Sequence, residues 1–276
     1  MNDPRIDFEA LKAGLKSTWM AGNYGQFARY NEPAGEQFIA RRAIKPGMHI
    51  LDVACGTGNL AFAAARAGGI VTGVDIATNL LEEARERAKL EGLSIQFDEG
   101  DAERLPYPDE SFDLVVSMFG AMFAPRPERV AAELVRVCRV GGQIAMANWT
   151  PGGFTGQVMK MTSTYVAPPP GTMPPALWGD GATVRERLRD GTTDLKLTLV
   201  TPSFTHPLSV ADTVEFFRIN YGPTQRAFSA LPEDQQQALR RDLESHFARY
   251  NQATDGTTQF ESEYLEVVAT RARQPQ

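Results

Sequence analysis

Leu51-Asp52-Val53-Ala54-Cys55-Gly56-Thr57-Gly58-Asn59 is the stretch that decides the fold. His49 to Ala54 reads as a buried strand, and Leu60 to Ala67 as an alanine-rich helix able to sit close to a sheet. The glycines between them let the backbone turn tightly and approach a ligand. Gly68-Gly69 ends the helix. Working outward, Ile70 to Val74 is a second strand and Asn79 to Leu90 a second helix, with Leu80, Leu81, Ala84 and Ala88 as its apolar stripe. Leu93 to Phe97 and Phe112 to Ser117 are expected as strands three and four. Glu128 to Val140 is expected as a helix and Gly142 to Asn148 as the fifth strand. This alternation argues for a parallel sheet with helices on both faces.

After Trp149 the regularity fails. Residues 167–175 hold Pro168, Pro169, Pro170, Pro174 and Pro175, a run suited to a surface excursion or a stiff pocket wall. Leu195 to Val200 is expected as a sixth strand, with helices at Val210 to Phe217 and Glu233 to Tyr250. Phe260 to Ala269 is expected as the last strand. The class is therefore α/β, a Rossmann-like seven-stranded, mostly parallel sheet with helical and loop additions as a substrate cover. Residues 1–45 read as an N-terminal helical flap, and 46–276 as the main domain with additions at about 150–194 and 205–256. The aromatics Trp19, Tyr24, Phe27 and Tyr30 in that first segment suit either packing on the domain or closure over a ligand.

A Gly-x-Gly turn alone is weak, and Ala61 breaks the full Gly-x-Gly-x-x-Gly dinucleotide spacing. The surrounding acids sharpen it. Asp75 ends the second strand, where a carboxylate can accept from both hydroxyls of a ribose; a helix cap is the plain alternative. Asp101 follows the third strand, placed to meet an adenine amine, with the Ala102 amide beside it. Ile76 and Leu105 offer apolar contacts to the ring. Ser117 ends the fourth strand, facing the crevice or capping the next segment.

This constellation resembles the class I S-adenosylmethionine-dependent methyltransferases, closest to the small-molecule branch of ubiquinone/menaquinone-biosynthesis enzymes. The resemblance rests on LDVACGTGN at 51–59, VTGVD at 71–75, GDAERLPYPDESFDLVVS at 100–117 and RVGGQIAMANW at 139–149. It implies S-adenosyl-L-methionine as cofactor. Asp52, Gly56 and Gly58 would surround its methionine portion, Asp75 its ribose, and Asp101 with Ala102 its adenine. Ala54, Ile76 and Ser117, with Trp19 and Tyr24 from the flap, are the remaining candidate cofactor contacts. It also implies a last strand running antiparallel beside its neighbours. Ala54 stands where many members carry glycine, and an extended backbone is expected there. Val140 stands for the usual proline.

The implied function is methyl transfer to a small, apolar or aromatic acceptor; a cofactor-binding regulatory module is the alternative. Such transfer needs alignment above all, and a base only if the acceptor loses a proton. His206 and Asn148 are the candidate catalytic residues, with Trp149, Met118, Phe119, Met122, Phe123 and Trp178 as candidate pocket walls. Cys55 is read as structural. His49 lies at the wrong end of the sheet, and His246 on an amphipathic helix.

Composition narrows the partners. The 276 residues carry 34 Asp and Glu against 28 Lys and Arg, a net charge of −6. That balance disfavours a grip on nucleic-acid phosphates. Two cysteines and three scattered histidines offer no metal motif. With no signal-like start and no long apolar run, a cytoplasmic protein without membrane insertion is expected. A homodimer remains open.

Overall fold

The computed structural model describes residues 6–273. Helices α1 (Phe8–Trp19), α2 (Tyr24–Ala28) and α3 (Glu32–Ala40) precede the alternating region. This region runs β1 (His49–Val53), α4 (Asn59–Arg66), β2 (Ile70–Asp75), α5 (Thr78–Glu91), β3 (Ile95–Glu99), β4 (Phe112–Met118), α6 (Pro127–Val137) and β5 (Cys138–Trp149). Then come α7 (Phe154–Tyr165), α8 (Gly181–Leu188), β6 (Thr192–Val200), β7 (Ser203–His206), α9 (Val210–Asn220), α10 (Gly222–Ser229) and α11 (Glu233–Tyr250). The last strands are β8 (Thr258–Glu261) and β9 (Tyr264–Arg271).

Seven strands form one sheet in the order β3-β2-β1-β4-β5-β9-β6. β1 to β5 run parallel; β9 is antiparallel to both β5 and β6. The inserted antiparallel strand is thus the one that the resemblance implied. The chain winds outward in both directions from the β1–β4 boundary, which opens a crevice at the carboxyl ends of those strands. Small side chains let α4 sit close: Leu60, Ala61, Phe62 and Ala64 are buried against the sheet.

Three expectations need correction. The segment Phe260–Ala269 is not one strand. It breaks at Ser262-Glu263, so β8 pairs with β7 in a separate ribbon while β9 enters the main sheet. The helix expected to reach Val140 stops at Val137. The amides of Glu110 and Ser111 take the carbonyls of Arg136 and Val137, drawing the chain directly into β5. β5 then bulges against β4 around Gly141, whose φ is +79°. β3 begins two residues later than expected, at Ile95.

The cover is built from both ends of the chain. α1 packs on α10, α2 on α9, and α11 on α7 and α9. Among the described residues no helix is long and apolar enough to cross a membrane.

Candidate active site

Two cavities lie at the carboxyl end of the sheet. The first, of about 1040 Å³ with its open mouth included, is lined by the ends of β1, β2, β3 and β4 and roofed by α1 and α2. Of the residues that the sequence points to, Trp19, Tyr24, Asp52, Ala54, Gly56, Asp75, Ile76, Asp101 and Ala102 share this wall.

The β1 turn shapes the floor. Gly56 has φ +53° and donates its amide to Asp75 Oδ2 at 2.8 Å. Asp75 Oδ1 accepts from the Ala77 amide at 2.8 Å. Tyr24 sits over Gly56, where an added Cβ would approach its ring to 3.4 Å. Burial, with the Asp75 charge, raises the Tyr24 phenol well above its ordinary value. Asp52 is 2% exposed and accepts from the Ala61 amide at 3.1 Å. Burial and the neighbouring Asp75 push its carboxyl up to about 8, against the pull of that amide.

Asp101 is already engaged. Its Oδ1 accepts from the Glu103 amide at 2.8 Å, and Lys12 Nζ lies 2.6 Å from its Oδ2. Lys12 also reaches the fully buried Glu103 side chain at 3.1 Å, which pins α1 across the cavity mouth.

Two expected cofactor contacts lie outside this cavity. Gly58 does not line the cavity: its φ is +88°, its amide donates to Cys55 O at 2.8 Å, and an added Cβ would meet Phe62 at 2.8 Å. It turns the chain into α4. Ser117 does not line it either. The hydroxyl donates to Val53 O at 2.8 Å and accepts from the Ala121 amide at 3.1 Å, so its hydrogen bonds tie β4 to β1. Ala54 is a third correction, because it holds φ +55° and not an extended backbone. Ala54 in turn leaves room only for glycine at 120, where a Cβ would come within 2.7 Å of the Ala54 methyl.

The second cavity, of about 700 Å³ with its open mouth included, is aromatic. Its walls include Phe27, Tyr30, Trp149, Phe154, Phe204, His206, Phe217, Tyr221 and Phe260. Trp19, Tyr24, Asn31 and Phe119 belong to both cavities. Phe119 stacks on Trp149, and Phe27 stacks on Tyr221 with centroids 4.6 Å apart.

The two candidate catalytic residues part company. His206 lines the second cavity. Asn148 lines neither cavity; it is 1% exposed, and strand alternation sends it to the face opposite Trp149. Met118, Phe119 and Phe123 reach the first cavity, whereas Met122 is packed away. Trp178 walls neither cavity: it is buried, with the Arg187 guanidinium 4.7 Å over its ring. The proline run is largely exposed and lines neither cavity. Cys55 is buried beside the floor, and burial raises its thiol. His49 opens β1 at the amino end, and His246 sits 3.3 Å from Phe154 O.

Sequence reasoning missed Lys12, Asn31 and Tyr221 as wall residues. The spacing of Phe217 and Tyr221, one helical turn apart, carried a signal for a shared face. Nothing local marked Lys12 as a wall residue: beside its helical neighbour Glu9, its partners Asp101 and Glu103 lie about ninety residues away.

Residues 51–146 match a family model described as a methyltransferase domain. An uncharacterized protein of Mycobacterium tuberculosis is 36% identical over 98% of this chain and 99% of its own length. The ubiquinone/menaquinone biosynthesis C-methyltransferase of Bordetella parapertussis is 36% identical over 51% of this chain and 50% of its own. Among solved structures, a phosphoethanolamine N-methyltransferase of Haemonchus contortus in complex with S-adenosyl-L-methionine superposes with a TM-score of 0.56. It shares 19% identity and covers 87% of this chain and 53% of that one.

Proposed function

The chain belongs to the class I S-adenosylmethionine-dependent methyltransferases, and we propose that its acceptor is a small, apolar or aromatic molecule held in the second cavity. One observation carries this reading: Trp19, Tyr24, Asn31 and Phe119 wall both cavities, so a donor in one and an acceptor in the other meet there.

The first cavity fits the cofactor. Asp52 and Asp75 are buried close together, and Asp52 is held near 8 with no cation among the groups that set its value. A ligand bearing ammonium and sulfonium charges supplies what the pair lacks. In this reading Asp75 holds the ribose, Asp101 and Ala102 the adenine with Ile76 against its face, and Asp52 and Gly56 the methionine portion.

When bound, the cofactor supplies an electrophilic methyl group. The protein's work is then alignment and exclusion of water. Trp19, Tyr24 and Phe119 offer aromatic faces to the positive centre at the shared wall. Their edge-on and stacked packing makes the shared wall apolar, which limits water beside the reacting atoms in this reading.

Titration with S-adenosylhomocysteine tests the donor half: binding is expected, and none at millimolar ligand defeats it. Methyl-labelled cofactor incubated with a cell extract tests the acceptor half. Label in an extractable small molecule is expected. Cofactor binding with no label consumed favours a regulatory module, and label in RNA or protein overturns the small-molecule reading.

A further inference from the structure

The two cavities differ in charge. The first carries Lys12, Asp52, Asp75 and Asp101 on its wall. Among the described residues, no Asp, Glu, Lys or Arg lines the second. An ammonium, carboxylate or phosphate brought there would be buried without a counter-charge, at a cost far above that of an unpaired neutral group.

His206 is the polar group that stands out on this wall. It ends β7 and is 1% exposed. Its ring lies 4.0 Å from that of Tyr30 and parallel to Phe260, with Phe216 and Phe217 at 5.9 and 5.6 Å. Burial among these rings pushes its pKa down to about 4, so the imidazole is neutral at physiological pH. A neutral imidazole offers one donor and one acceptor. Yet Nδ1 has no hydrogen-bond partner among the described residues. The cross-strand neighbour Thr258 does not supply one, since its hydroxyl donates to Leu208 O at 2.9 Å. A buried polar atom left unpaired has given up its hydration for nothing in return. The other polar wall groups, including Asn31 and Thr155, are likewise uncharged.

Resting on the donor and acceptor assignment above, we propose that the second cavity takes an uncharged, flat, ring-containing acceptor bearing a hydroxyl or carbonyl oxygen, and that His206 is the positioning residue that hydrogen-bonds this oxygen. The aromatic walls hold the ring plane, and the imidazole fixes its rotation. The atom presented at the shared wall is thereby selected.

Equilibrium dialysis of 2-naphthol, naphthalene and 2-naphthoate against the full chain, with and without saturating S-adenosylhomocysteine, tests this. The expected order with S-adenosylhomocysteine bound is 2-naphthol about tenfold tighter than naphthalene, as one buried hydrogen bond allows. The anionic 2-naphthoate should bind at least a hundredfold more weakly than 2-naphthol. His206→Phe should remove the preference for 2-naphthol over naphthalene while S-adenosylhomocysteine affinity stays unchanged. Should that variant not fold, nitrogen NMR of the His206 ring in the native protein replaces it: the signals should move with 2-naphthol and not with naphthalene. Naphthoate binding as tightly as naphthol, a preference that survives in His206→Phe, unmoved ring signals, or no binding of either neutral probe overturns the proposal. Failure of S-adenosylhomocysteine to bind defeats the donor assignment instead, and is read separately in the same dialysis.

Discussion

Phe119 lies flat on Trp149, with ring centroids 3.6 Å apart and planes 8° from parallel. Phe119 holds φ +57° in doing so, a conformation that costs a bulky residue roughly 1–2 kcal/mol. The stack forms at the carboxyl ends of neighbouring strands β4 and β5, where packing outweighs the local penalty. Backbone cost at such a site is typical of positions held for function.

Trp149→Ala should therefore destabilise the protein by about 3–5 kcal/mol, the usual range for a buried aromatic truncation. Trp149 lines the second cavity and not the first. Urea unfolding should show the loss, while S-adenosylhomocysteine titration below the unfolding transition should show near-native affinity. A matching fall in cofactor affinity would contradict the separation of the two walls.

Asp52 should couple cofactor binding to a proton. Its carboxyl is held near 8 by burial and the neighbouring Asp75. The ligand's ammonium group, which S-adenosylhomocysteine shares with the cofactor, lowers that value, so binding below pH 8 releases a proton. Affinity for S-adenosylhomocysteine should rise between pH 6 and 8, by up to about tenfold per unit, and level off above. The same sign governs folding. The value is raised above that of the unfolded chain, so the empty protein loses stability as pH climbs from about 4 toward 8. Asp52→Asn should flatten both profiles, measured by calorimetry and by thermal melts.

Asp75→Ala should weaken S-adenosylhomocysteine binding by about 10- to 150-fold, the range for losing a hydrogen bond to a charged group. Stability should fall as well, because the Gly56 and Ala77 amides lose their acceptor. Asp75→Asn keeps one oxygen for those amides and should recover part of the stability, but less of the affinity.

Ala54→Gly should stabilise the protein slightly. Relief of the left-handed alanine contributes about 1–2 kcal/mol, offset by about 0.5–1 kcal/mol of added freedom in the unfolded chain. A melting temperature raised by one or two degrees is expected. A clear fall would mean that the Ala54 methyl contributes more by packing near Gly120 than its backbone costs.

Lys12→Met should loosen α1. Burial disfavours the ammonium, but Asp101 and Glu103 more than restore it and raise its pKa. That contribution is full below about pH 10.5 and fades only as pH rises through the raised value. Exposed pairs contribute no more than about 1 kcal/mol, and this one is only partly buried. Deuterium uptake across Phe8–Trp19 should quicken several-fold, with β1 and β4 unchanged.

Much of the sheet was legible because its signals are local. The β1 turn, the acid after β2 and the alternation of apolar strands with amphipathic helices all sit within short windows. Gly58 and Ser117 misled for one reason: motif position places a residue near the site, whereas its turn amide or hydroxyl can be consumed within the scaffold. Ala54 misled because its left-handed backbone, closely faced by Gly120 from far along the chain, leaves no mark in the residue type. Lys12 and the aromatic wall from Tyr30 to Phe260 were hard to read for a related reason. Their partnerships join distant segments, and no window of sequence holds both halves.

The division of the walls has an evolutionary consequence. The first cavity draws chiefly on the strand ends between Asp52 and Pro125, with a roof from the N-terminal helices. The second cavity takes much of its lining from elements after β5. Substitutions at Val158, Phe204 or Phe217 can therefore redraw the second cavity while β1, β2 and β3 keep their side chains and register. Such a chain can change its substrate by drift in its cover without relearning how to hold its reagent.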